Sequence, residues 1–432
     1  MGQTVFVPKE VDANEPRVAA SPDTVKRLAA LGFDLIVEAG AGTRSRIIDD
    51  EFAKAGASIG KASDAAKADV VLKVRRPTES ELKSYKKGAA VIATMDPYGN
   101  EPSVQAMAAA GVTAFSMELM PRITRAQSMD ILSSQANLAG YQAVIDGAAE
   151  YDRALPMMMT AAGTVPAAKV FVMGAGVAGL QAIATARRLG AAVTATDVRP
   201  AAKEQVASLG GKFVAVEDEE FKAAETAGGY AKEMSKEYQA KQAALVADHI
   251  AKQDIVITTA LIPGRPAPKL VSAAMVKSMR PGSVIVDLAV ERGGNVEGAV
   301  PGKVVTTDSG VTIVGHLNVP GRVAASASLL YAKNLFAFLE TMVDKATKSL
   351  SINREDELVK ATMLTDGGKV VHPNFTPASA APAKNVEAVE PAPPKPVKKA
   401  AAGAAPVAGP VEEGQAKPAA KKPTAKKSKG DA

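Results

Sequence analysis

The sequence predicts an α/β protein in which two doubly wound, mostly parallel sheets are joined by long helices. Over residues 1–376, short β-rich runs alternate with amphipathic segments, which is the pattern of strands and crossover helices. Apolar residues make up 47% of the chain and aromatic residues only 4%, so Ala, Val and Gly fill the predicted layers. A glycine-rich turn at residues 174–179 separates a β-rich run from a helical pattern, as in the first crossover of such a sheet. The length of 432 residues suits two or three domains of about 150 residues each.

The first lobe is predicted to begin with a β-α-β unit. A strand at Thr4–Val7 precedes a helix that Ser21 caps and that ends near Gly32, and the next strand is Phe33–Val37. Because the alternation continues, three further strands are expected, at Asp69–Val74, Ala89–Thr94 and Val112–Ser116.

Long helices are predicted to join the two lobes. The first is expected at about Ala126–Tyr151, and a second α/β series occupies about Lys169–Pro320. Helical periodicity returns at Ser326–Leu350, and the turn Asp366–Gly368 between two apolar pairs predicts a hairpin. We expect this closing helix to pack back on the first lobe, which makes that lobe discontinuous in sequence. The predicted domains are residues 1–137 with 321–376, and residues 138–320.

The last 56 residues, 377–432, differ in composition from the rest. They contain ten Pro, ten Lys and five acidic residues, but no Ile, Leu, Phe or Tyr. Such a segment buries too little apolar surface to offset the entropy of ordering, so we predict a disordered tail. The simpler interpretation is a solubilising tail, and the alternative is a basic arm for an acidic partner or anionic lipid headgroups. A nucleic-acid partner is not expected, because the body is nearly neutral and the tail lacks aromatic residues.

Composition excludes several kinds of chemistry. There is no Cys, and the three His, at positions 249, 316 and 372, are far apart in sequence, so no metal site is predicted. The opening MGQTVFVPKE lacks the pattern of a signal peptide, which indicates a cytoplasmic protein. The longest uncharged stretch, Val170–Ala186, has 17 residues and three Gly, so no membrane span is expected.

The segment KVFVMGAGVAGLQAIATARRLGAAVTATDVR carries a dinucleotide fingerprint. A strand leads into Gly174-x-Gly176-x-x-Gly179, a helix follows to about Leu189, and a second strand ends at Asp197, 23 residues past the first Gly. The first Gly permits the tight turn, the second lets the backbone approach a pyrophosphate, and the third lets the helix pack on the strand. The helix N-terminus supplies oriented N–H groups for the phosphates. The sequence therefore predicts a Rossmann-like domain.

Asp197 is expected to select the nucleotide. A carboxylate at this strand end accepts hydrogen bonds from a ribose 2′-OH and repels a 2′-phosphate, so NAD(H) is the predicted ligand. Arg199 lies close by; it would favour NADP, or is simply a solvated surface cation. The segment Thr259–Gly264 follows the predicted strand Asp254–Thr258, at the edge of the sheet where cofactors bind.

Two other segments carry polar groups with a candidate role. Gln127, Asp130 and Ser133 are spaced to share one drifting face of the first long helix, and Arg122 precedes them in a loop. From the pattern alone they form either a solvated helix face or a set that faces a cleft and bonds a nicotinamide. Gly228–Met234 is predicted to be a mobile surface loop, or a lid that carries Tyr230 and Met234.

A general base for alcohol or amine oxidation is missing from the pattern. Only His316 follows a strand and could face a cleft, and it could equally serve loop hydrogen bonding; Lys73 is another possible polar anchor. Hydride transfer between two nicotinamides needs no general base, because no proton leaves the donor carbon. The sequence is compatible with that chemistry.

At these residues the chain resembles a known family, over about residues 1–375. The matching blocks resemble the NAD(H)-binding alpha subunit of proton-translocating NAD(P)+ transhydrogenase, a family related to alanine dehydrogenase. They are RITRAQSMDILSSQANLAGYQAVIDGA, MMMTAAGTVPAAKVFVMGAGVAGLQAIATARRLGA, ATDVRP, ETAGGYAKEM, TTALIPGRPAP and SVIVDLAVERGGN.

The resemblance implies a division of labour between chains. NADH on this component would pass hydride to NADP+ on a beta subunit, and a membrane-spanning alpha-type subunit would couple the transfer to inward proton movement. It also implies a homodimer, peripheral on the cytoplasmic face of the inner membrane through its partners. Some alpha chains of the family continue into membrane helices, whereas this chain ends in a Pro/Lys/Ala tail. We therefore expect those helices on another polypeptide.

The resemblance also assigns roles to residues. Arg122, Gln127, Asp130 and Ser133 would hold and position the nicotinamide end, with no general base. Further cofactor contacts are implied at Ile123, Thr124, Ser128, Met129, Gly174, Ala175, Gly176, Val177, Gly179, Asp197, Val198, Arg199, Gly229, Tyr230, Met234, Gln242 and Leu261.

Alanine dehydrogenase is the alternative within the same ancestry. Arg17 and Lys73 match its substrate-anchoring positions, but VIATMDPYGN lacks the His expected there and Glu291 replaces an Asp of its pattern. This loss of acid–base residues argues against amino-acid chemistry. A non-catalytic NAD-sensing module is a further alternative.

Overall fold

The first lobe consists of strands and helices that alternate along residues 4–116. The computed structural model describes residues 2–222, 234–262 and 264–376. Ser21 caps the first helix as predicted, since its hydroxyl accepts a hydrogen bond from the Thr24 N–H at 3.2 Å. The strands are β1 (Thr4–Val7), β2 (Asp34–Glu38), β3 (Ser58–Gly60), β4 (Val70–Arg75), β5 (Ala90–Thr94) and β6 (Thr113–Ser116). The helices are α1 (Pro22–Ala30), α2 (Asp49–Lys54), α3 (Glu79–Leu82) and α4 (Glu101–Ala110).

The second lobe follows a long helix, α5 (Ile131–Glu150). A small exposed hairpin, β7 (Met158–Thr160) and β8 (Gly163–Val165), precedes its main sheet. The further strands are β9 (Lys169–Met173), β10 (Ala192–Thr196), β11 (Lys212–Phe213), β12 (Ile255–Thr258), β13 (Val284–Asp287), β14 (Val304–Thr306) and β15 (Thr312–Val314). The helices are α6 (Val177–Arg188), α7 (Ala202–Ser208), α8 (Glu219–Lys222), α9 (Lys236–Ile250) and α10 (Ala273–Ser278).

The chain then returns to the first lobe. Helix α11 (Ala324–Glu340) buries Tyr331, Leu335 and Phe338 in the core of the first sheet. The predicted hairpin is present, with Gly367 and Gly368 at φ +54° and +79° in its two-residue turn. The remaining elements are β16 (Val343–Asp344), β17 (Ser349–Leu350), α12 (Glu357–Thr362), β18 (Met363–Asp366) and β19 (Lys369–Val370).

Both main sheets have the doubly wound strand order. The first runs β19-β18-β6-β5-β4-β1-β2-β3, in which β1 to β6 are parallel and β18 joins β6 antiparallel. The second runs β11-β10-β9-β12-β13-β15-β14, parallel except for β14. The strand order reverses between β9 and β12 in the second sheet, so ligands are expected there, outside the carboxyl ends of these strands. The predicted α/β fold class is confirmed.

Residues of the central strands are buried on both faces of each sheet. On β9, Val170 and Val172 point into one core cluster, and Phe171 and Met173 point into another. This explains the continuous apolar runs that predicted parallel strands.

Two helix boundaries differ from the prediction. The helix expected from Ala126 begins at Ile131, because the Asp130 side chain accepts a hydrogen bond from the Ser133 N–H at 2.9 Å and so caps it. Residues Thr124–Met129 form a 3₁₀ turn instead. The helix expected to reach Leu350 ends at Glu340, and Asp344 then accepts the N–H groups of Ala346 and Thr347 in the β16–β17 turn.

Two predictions lie at the limits of what the structure describes. The predicted tail, residues 377–432, lies outside the described residues, and the domain boundaries at 137/138 and 320/321 stay a prediction. Across residues 2–222, 234–262 and 264–376, no helix has the length and apolar character needed to cross a membrane.

Candidate dinucleotide site

The turn after β9 contains two glycines at which a side chain would not fit. Gly174 has φ +102°, and a Cβ there would lie 2.5 Å from Thr259 Oγ1 on the neighbouring loop. A Cβ on Gly179 would lie 1.8 Å from the Gly174 carbonyl oxygen. These two positions therefore allow the tight turn and the close approach of α6, which are the roles that the sequence predicted.

Gly176 is different, because no neighbouring atom among the described residues requires a glycine there. It is the N-cap of α6, and a Cβ there would meet none of the described atoms within 4 Å. The open space lies directly over the first turn of the helix, where N–H groups and the helix dipole favour an anion. A pyrophosphate that lies against the backbone is the ligand for which a residue without a side chain is useful.

Asp197 joins the end of β10 to the glycine turn. Its Oδ2 accepts a hydrogen bond from the Ala175 N–H at 2.7 Å. The Arg199 guanidinium donates to both carboxylate oxygens, at 2.9 and 3.0 Å, and to the Ala175 carbonyl at 3.1 Å. Arg199 is therefore not the solvated surface cation that was one of its predicted interpretations, since it is held on Asp197.

The crevice expected between the carboxyl ends of β9 and β12 has the glycine turn on one side. The loop after β12 forms its other side. Its Ala260 is fixed by Asn295, whose side chain accepts from the Ala260 N–H at 3.0 Å and donates to the Ala260 carbonyl at 2.9 Å. Leu261 and Ile262 then present exposed apolar side chains beside the switch point. Asn295 is fully buried and was not predicted as a site residue; its only sequence signal is its position after Gly293–Gly294.

The predicted polar set does not form one helix face. Gln127 lies exposed on the 3₁₀ turn, Asp130 is the N-cap and only Ser133 is helical. The structure joins two members directly, since Ser133 Oγ donates to Asp130 Oδ2 at 2.5 Å. Arg122 is an exposed residue of the preceding segment. The spacing argument failed because α5 begins only at Ile131, four residues after Gln127, with Asp130 as its N-cap.

The residues next to this set lie in different surroundings. Met129 is buried in the first lobe's core, Ile123 packs against that core, and Thr124 and Ser128 are exposed. The Ser128 carbonyl accepts from Asn334 Nδ2 at 2.8 Å, and the same Asn334 amide accepts from Ser134 Oγ at 2.7 Å. Asn334 of α11 therefore fixes the 3₁₀ turn, a role that its place in an apolar helix pattern did not indicate.

The remaining predicted contacts are spread around β10 and α9. Gln242 donates to Thr196 Oγ1 at 3.0 Å and accepts from the Val216 N–H at 2.9 Å, so it connects the end of β10 to the next loop. Val177 and Val198 are exposed beside the turn, and Met234 is half-buried. Gly229 and Tyr230, with most of the predicted lid, lie outside the described residues.

Two of the three histidines, His249 and His372, make contacts typical of a structural role. His249 contacts Thr194 Oγ1 at 2.8 Å and packs edge-on against Phe171, and His372 contacts the Ala361 carbonyl at 3.2 Å. Burial lowers the pKa of all three imidazoles, and the nearby Arg322 lowers that of His316 further. Each is therefore neutral near pH 7.

The two cations that match substrate-anchoring positions are paired inside the first lobe. Arg17 forms a two-point ion pair with Glu15, at 2.7 Å for each contact, and Lys73 donates to Glu81 at 2.6 Å. Lys73 also lies 3.3 Å from Glu10. In this conformation neither cation is free to bind the carboxylate of a substrate.

Neither a metal cluster nor the cavity described below coincides with the glycine turn in the part of the chain that the structure describes. Within the described parts of the chain, no three His, Asp or Glu side chains cluster so as to hold a metal ion. A cavity of about 580 Å³ opens elsewhere, lined by Arg44, Arg46 and Arg322 among others, and it contains none of the predicted site residues. The turn at the switch point is therefore the candidate site.

Comparison with protein-family models identifies the class of protein to which the chain belongs. Residues 6–139 match the family model "Alanine dehydrogenase/PNT, N-terminal domain", and residues 143–373 match "Alanine dehydrogenase/PNT, C-terminal domain". The chain belongs to this alanine dehydrogenase/PNT family, whose members are NAD(H)-binding proteins of the dehydrogenase type.

Within the family, the chain is more similar to transhydrogenase proteins than to alanine dehydrogenases. The chain is 58% identical to an NAD(P) transhydrogenase subunit alpha polypeptide of Rhodospirillum rubrum, over 86% of this chain and 98% of the relative. A solved transhydrogenase structure from Sinorhizobium meliloti is 71% identical, with a TM-score of 0.79, over 85% of this chain and all of that one. Alanine dehydrogenase of Mycolicibacterium smegmatis is 30% identical over 84% of this chain and 93% of the relative. The chain therefore belongs with the transhydrogenase alpha subunits, and alanine dehydrogenase is a more distant relative.

Proposed function

We propose that this chain is the NAD(H)-binding subunit of a proton-translocating NAD(P)+ transhydrogenase. It binds NADH and passes hydride to NADP+ held by a partner subunit. The observation that carries the proposal is the glycine turn, which is open above Gly176 and has Asp197 at the adjoining strand end. The names of the relatives that match almost the whole body of the chain support the particular reaction.

The surroundings of the site suit hydride transfer without proton abstraction. His249 and His372 are engaged in packing and hydrogen bonds away from the glycine turn, and Lys73 is held by Glu81 and Glu10. The proposed role of Arg122, Gln127, Asp130 and Ser133 is to position the nicotinamide end. When bound, the cofactor supplies the hydride, so the residues have to orient it and exclude water.

We further propose the partners that the reaction requires. A beta subunit carries NADP(H), and a membrane-spanning alpha-type subunit couples transfer to inward proton movement, so this chain is peripheral on the cytoplasmic face of the inner membrane. The chain forms a homodimer. The β7–β8 hairpin supports this, because Met158, Met159 and Val165 are exposed on it beside the exposed Met157, and a second copy would cover them.

Reconstitution tests the proposed function. The purified chain is supplied with NADH and an NADP analogue whose reduction changes its absorbance, with and without the NADP-binding subunit. We expect turnover only when both proteins are present. Turnover of NAD+ with alanine by the chain alone would instead establish the alanine dehydrogenase alternative. NADH binding without transfer to the partner would establish a sensing module.

A further inference from the structure

Hydrogen bonds from the side chains of Glu118 and Arg76 hold residues 95–100, the loop that follows β5 in the first lobe. The half-buried Glu118 carboxylate accepts the N–H groups of Met95, at 3.0 Å, and of Asp96. The Arg76 guanidinium donates to the carbonyls of Met95 and Asp96, at 3.1 and 3.2 Å, and to Asn100 Oδ1 at 2.9 Å. Asp96 has φ +47°, a conformation uncommon outside glycine. The loop is therefore a rigid support.

From this support, two side chains reach the second lobe. Asp96 Oδ1 accepts a hydrogen bond from the Arg292 guanidinium, which lies after β13. The ring of Tyr98 lies against Gly264, which lies after β12, since a Cβ on that glycine would be 3.1 Å from Tyr98 Cδ1. Phe375 packs edge-on against Tyr98, with ring centroids 4.9 Å apart.

The two contacted segments form one unit at the carboxyl edge of the second sheet. Asn295, after β13, makes two hydrogen bonds to Ala260, after β12, and a third to the Pro268 carbonyl at 2.8 Å. Ala260 and Leu261 form the wall of the crevice opposite the glycine turn. The first lobe therefore fixes the loop that forms this wall.

We propose that Asp96 and Tyr98 are positioning residues for NAD(H): they hold Arg292 and Gly264, and so set the place of the wall formed by Ala260 and Leu261 against the bound cofactor. The inference rests on the proposed function, because it requires NAD(H) in that crevice. Neither residue touches the reacting atoms. A half-exposed ion pair contributes a factor of only about two to five to an equilibrium. A displaced wall would have a larger effect on the rate than on binding, because transfer depends on the approach of the two nicotinamides.

The test uses the full chain with its NADP-binding partner. Asp96→Asn, Arg292→Gln and the double variant are compared for the NADH dissociation constant, the transfer rate and the melting temperature. Each single variant is expected to weaken NADH binding about two- to fivefold and to slow transfer more, at an unchanged melting temperature. The double variant is expected to match the single ones, because both remove the same contact. Glu79→Gln and Arg188→Gln, exposed positions elsewhere, are the charge-matched controls.

Tyr98 is tested by a pair of substitutions. Tyr98→Ala removes the ring that supports Gly264 and should weaken binding and transfer, whereas Tyr98→Phe keeps the ring and should restore both. Additive effects of Asp96→Asn and Arg292→Gln, or wild-type binding and transfer in Tyr98→Ala, would overturn the inference. If the wild-type chain binds no NADH, both the proposed function and this inference are contradicted. If the wild-type chain binds NADH and transfers hydride, and the variants do so equally well, only the positioning role is contradicted.

Discussion

At the scale of single residues, the sequence predicted structural roles at positions where only glycine fits the backbone and its neighbours. Gly174 and Gly179 meet neighbouring atoms so closely that a side chain cannot fit, and the spacing of the fingerprint encodes this. The partners of Arg199 and Asp130 were not predictable in the same way. Each is fixed by a local hydrogen bond, to Asp197 and Ser133 respectively, and a spacing pattern does not show which of several polar neighbours a side chain will choose.

Asp197→Asn is expected to narrow the preference for NAD(H) over NADP(H). A 2′-phosphate at this strand end would face the carboxylate, and such a like-charge contact costs on the order of 1–3 kcal/mol. Dissociation constants for both cofactors, measured by titration, check this. Asp248→Asn, an exposed acid on α9, is the control and should leave the preference unchanged. Equal affinity of the unmodified chain for NAD(H) and NADP(H) would show that Asp197 does not select the nucleotide.

Gln127→Ala is expected to slow hydride transfer with a smaller effect on NADH binding. Gln127 is exposed on the 3₁₀ turn, so its loss should change the free energy of unfolding by less than about 0.5 kcal/mol. A rate effect would then report a lost contact to the nicotinamide end rather than misfolding. Single-turnover transfer in the assembled system is the measurement. An unchanged rate in a folded variant would remove this polar set from the site.

At the scale of elements, the strands that the sequence predicted lie within two residues of their observed ends, and so do the predicted ends of α1 and α6. The start of α5 and the end of α11 were predicted less well, and short strands such as β3, β11 and β14 were not predicted. Strands such as β9 and β13 are buried on both faces, so apolar runs mark them directly. The start of α5 depends on one cap and the end of α11 on a turn made by Asp344, and apolar periodicity continues past both points. Helical spacing alone therefore overestimated the length of each helix.

Close packing of α5 on α6 predicts a difference between two glycines of the same helix. A Cβ on Gly140 would lie 2.0 Å from the Ala178 carbonyl oxygen, whereas one on Gly147 would lie 3.2 Å from methyl groups of Ile255 and Val286. Backbone cannot move aside as side chains can, so Gly140→Ala should lower the free energy of unfolding by about 1–3 kcal/mol. Gly147→Ala, the matched control, should have a smaller effect, because the gain in helix propensity offsets milder crowding. Urea denaturation measures both, and equal stabilities would contradict the packing account.

At the scale of the whole molecule, the fold class was predicted from the alternation of strands and helices along the chain and from one dinucleotide fingerprint. The contact between Asp96 and Arg292 did not follow, because it joins positions 196 residues apart and depends on how the two lobes meet. No periodicity in a single sequence records such a contact. The long-range support of the site by Asn334 and Asn295 was missed for the same reason.

Deletion of Pro377–Ala432 is expected to leave the melting temperature and NADH binding nearly unchanged. The segment lacks large apolar side chains, so at about 25 cal/mol per Å² it contributes little through burial. Its ten Lys could still assist docking near the membrane partner, and that effect should be seen at low ionic strength and fade as the Debye length falls below about 10 Å. A large drop in melting temperature on truncation would show that the tail packs on the body.

The central claim is direct hydride transfer from NADH on this chain to NADP+ on its partner. The most direct measurement uses NADH that carries deuterium at the transferred position of nicotinamide C4, the NADP-binding subunit and NADP+, followed by mass spectrometry of the products. We predict that deuterium appears in NADPH without exchange with water, and only when both proteins are present. Deuterium lost to solvent, delivered to a 2-oxo acid by this chain alone, or retained in NADH would contradict the claim.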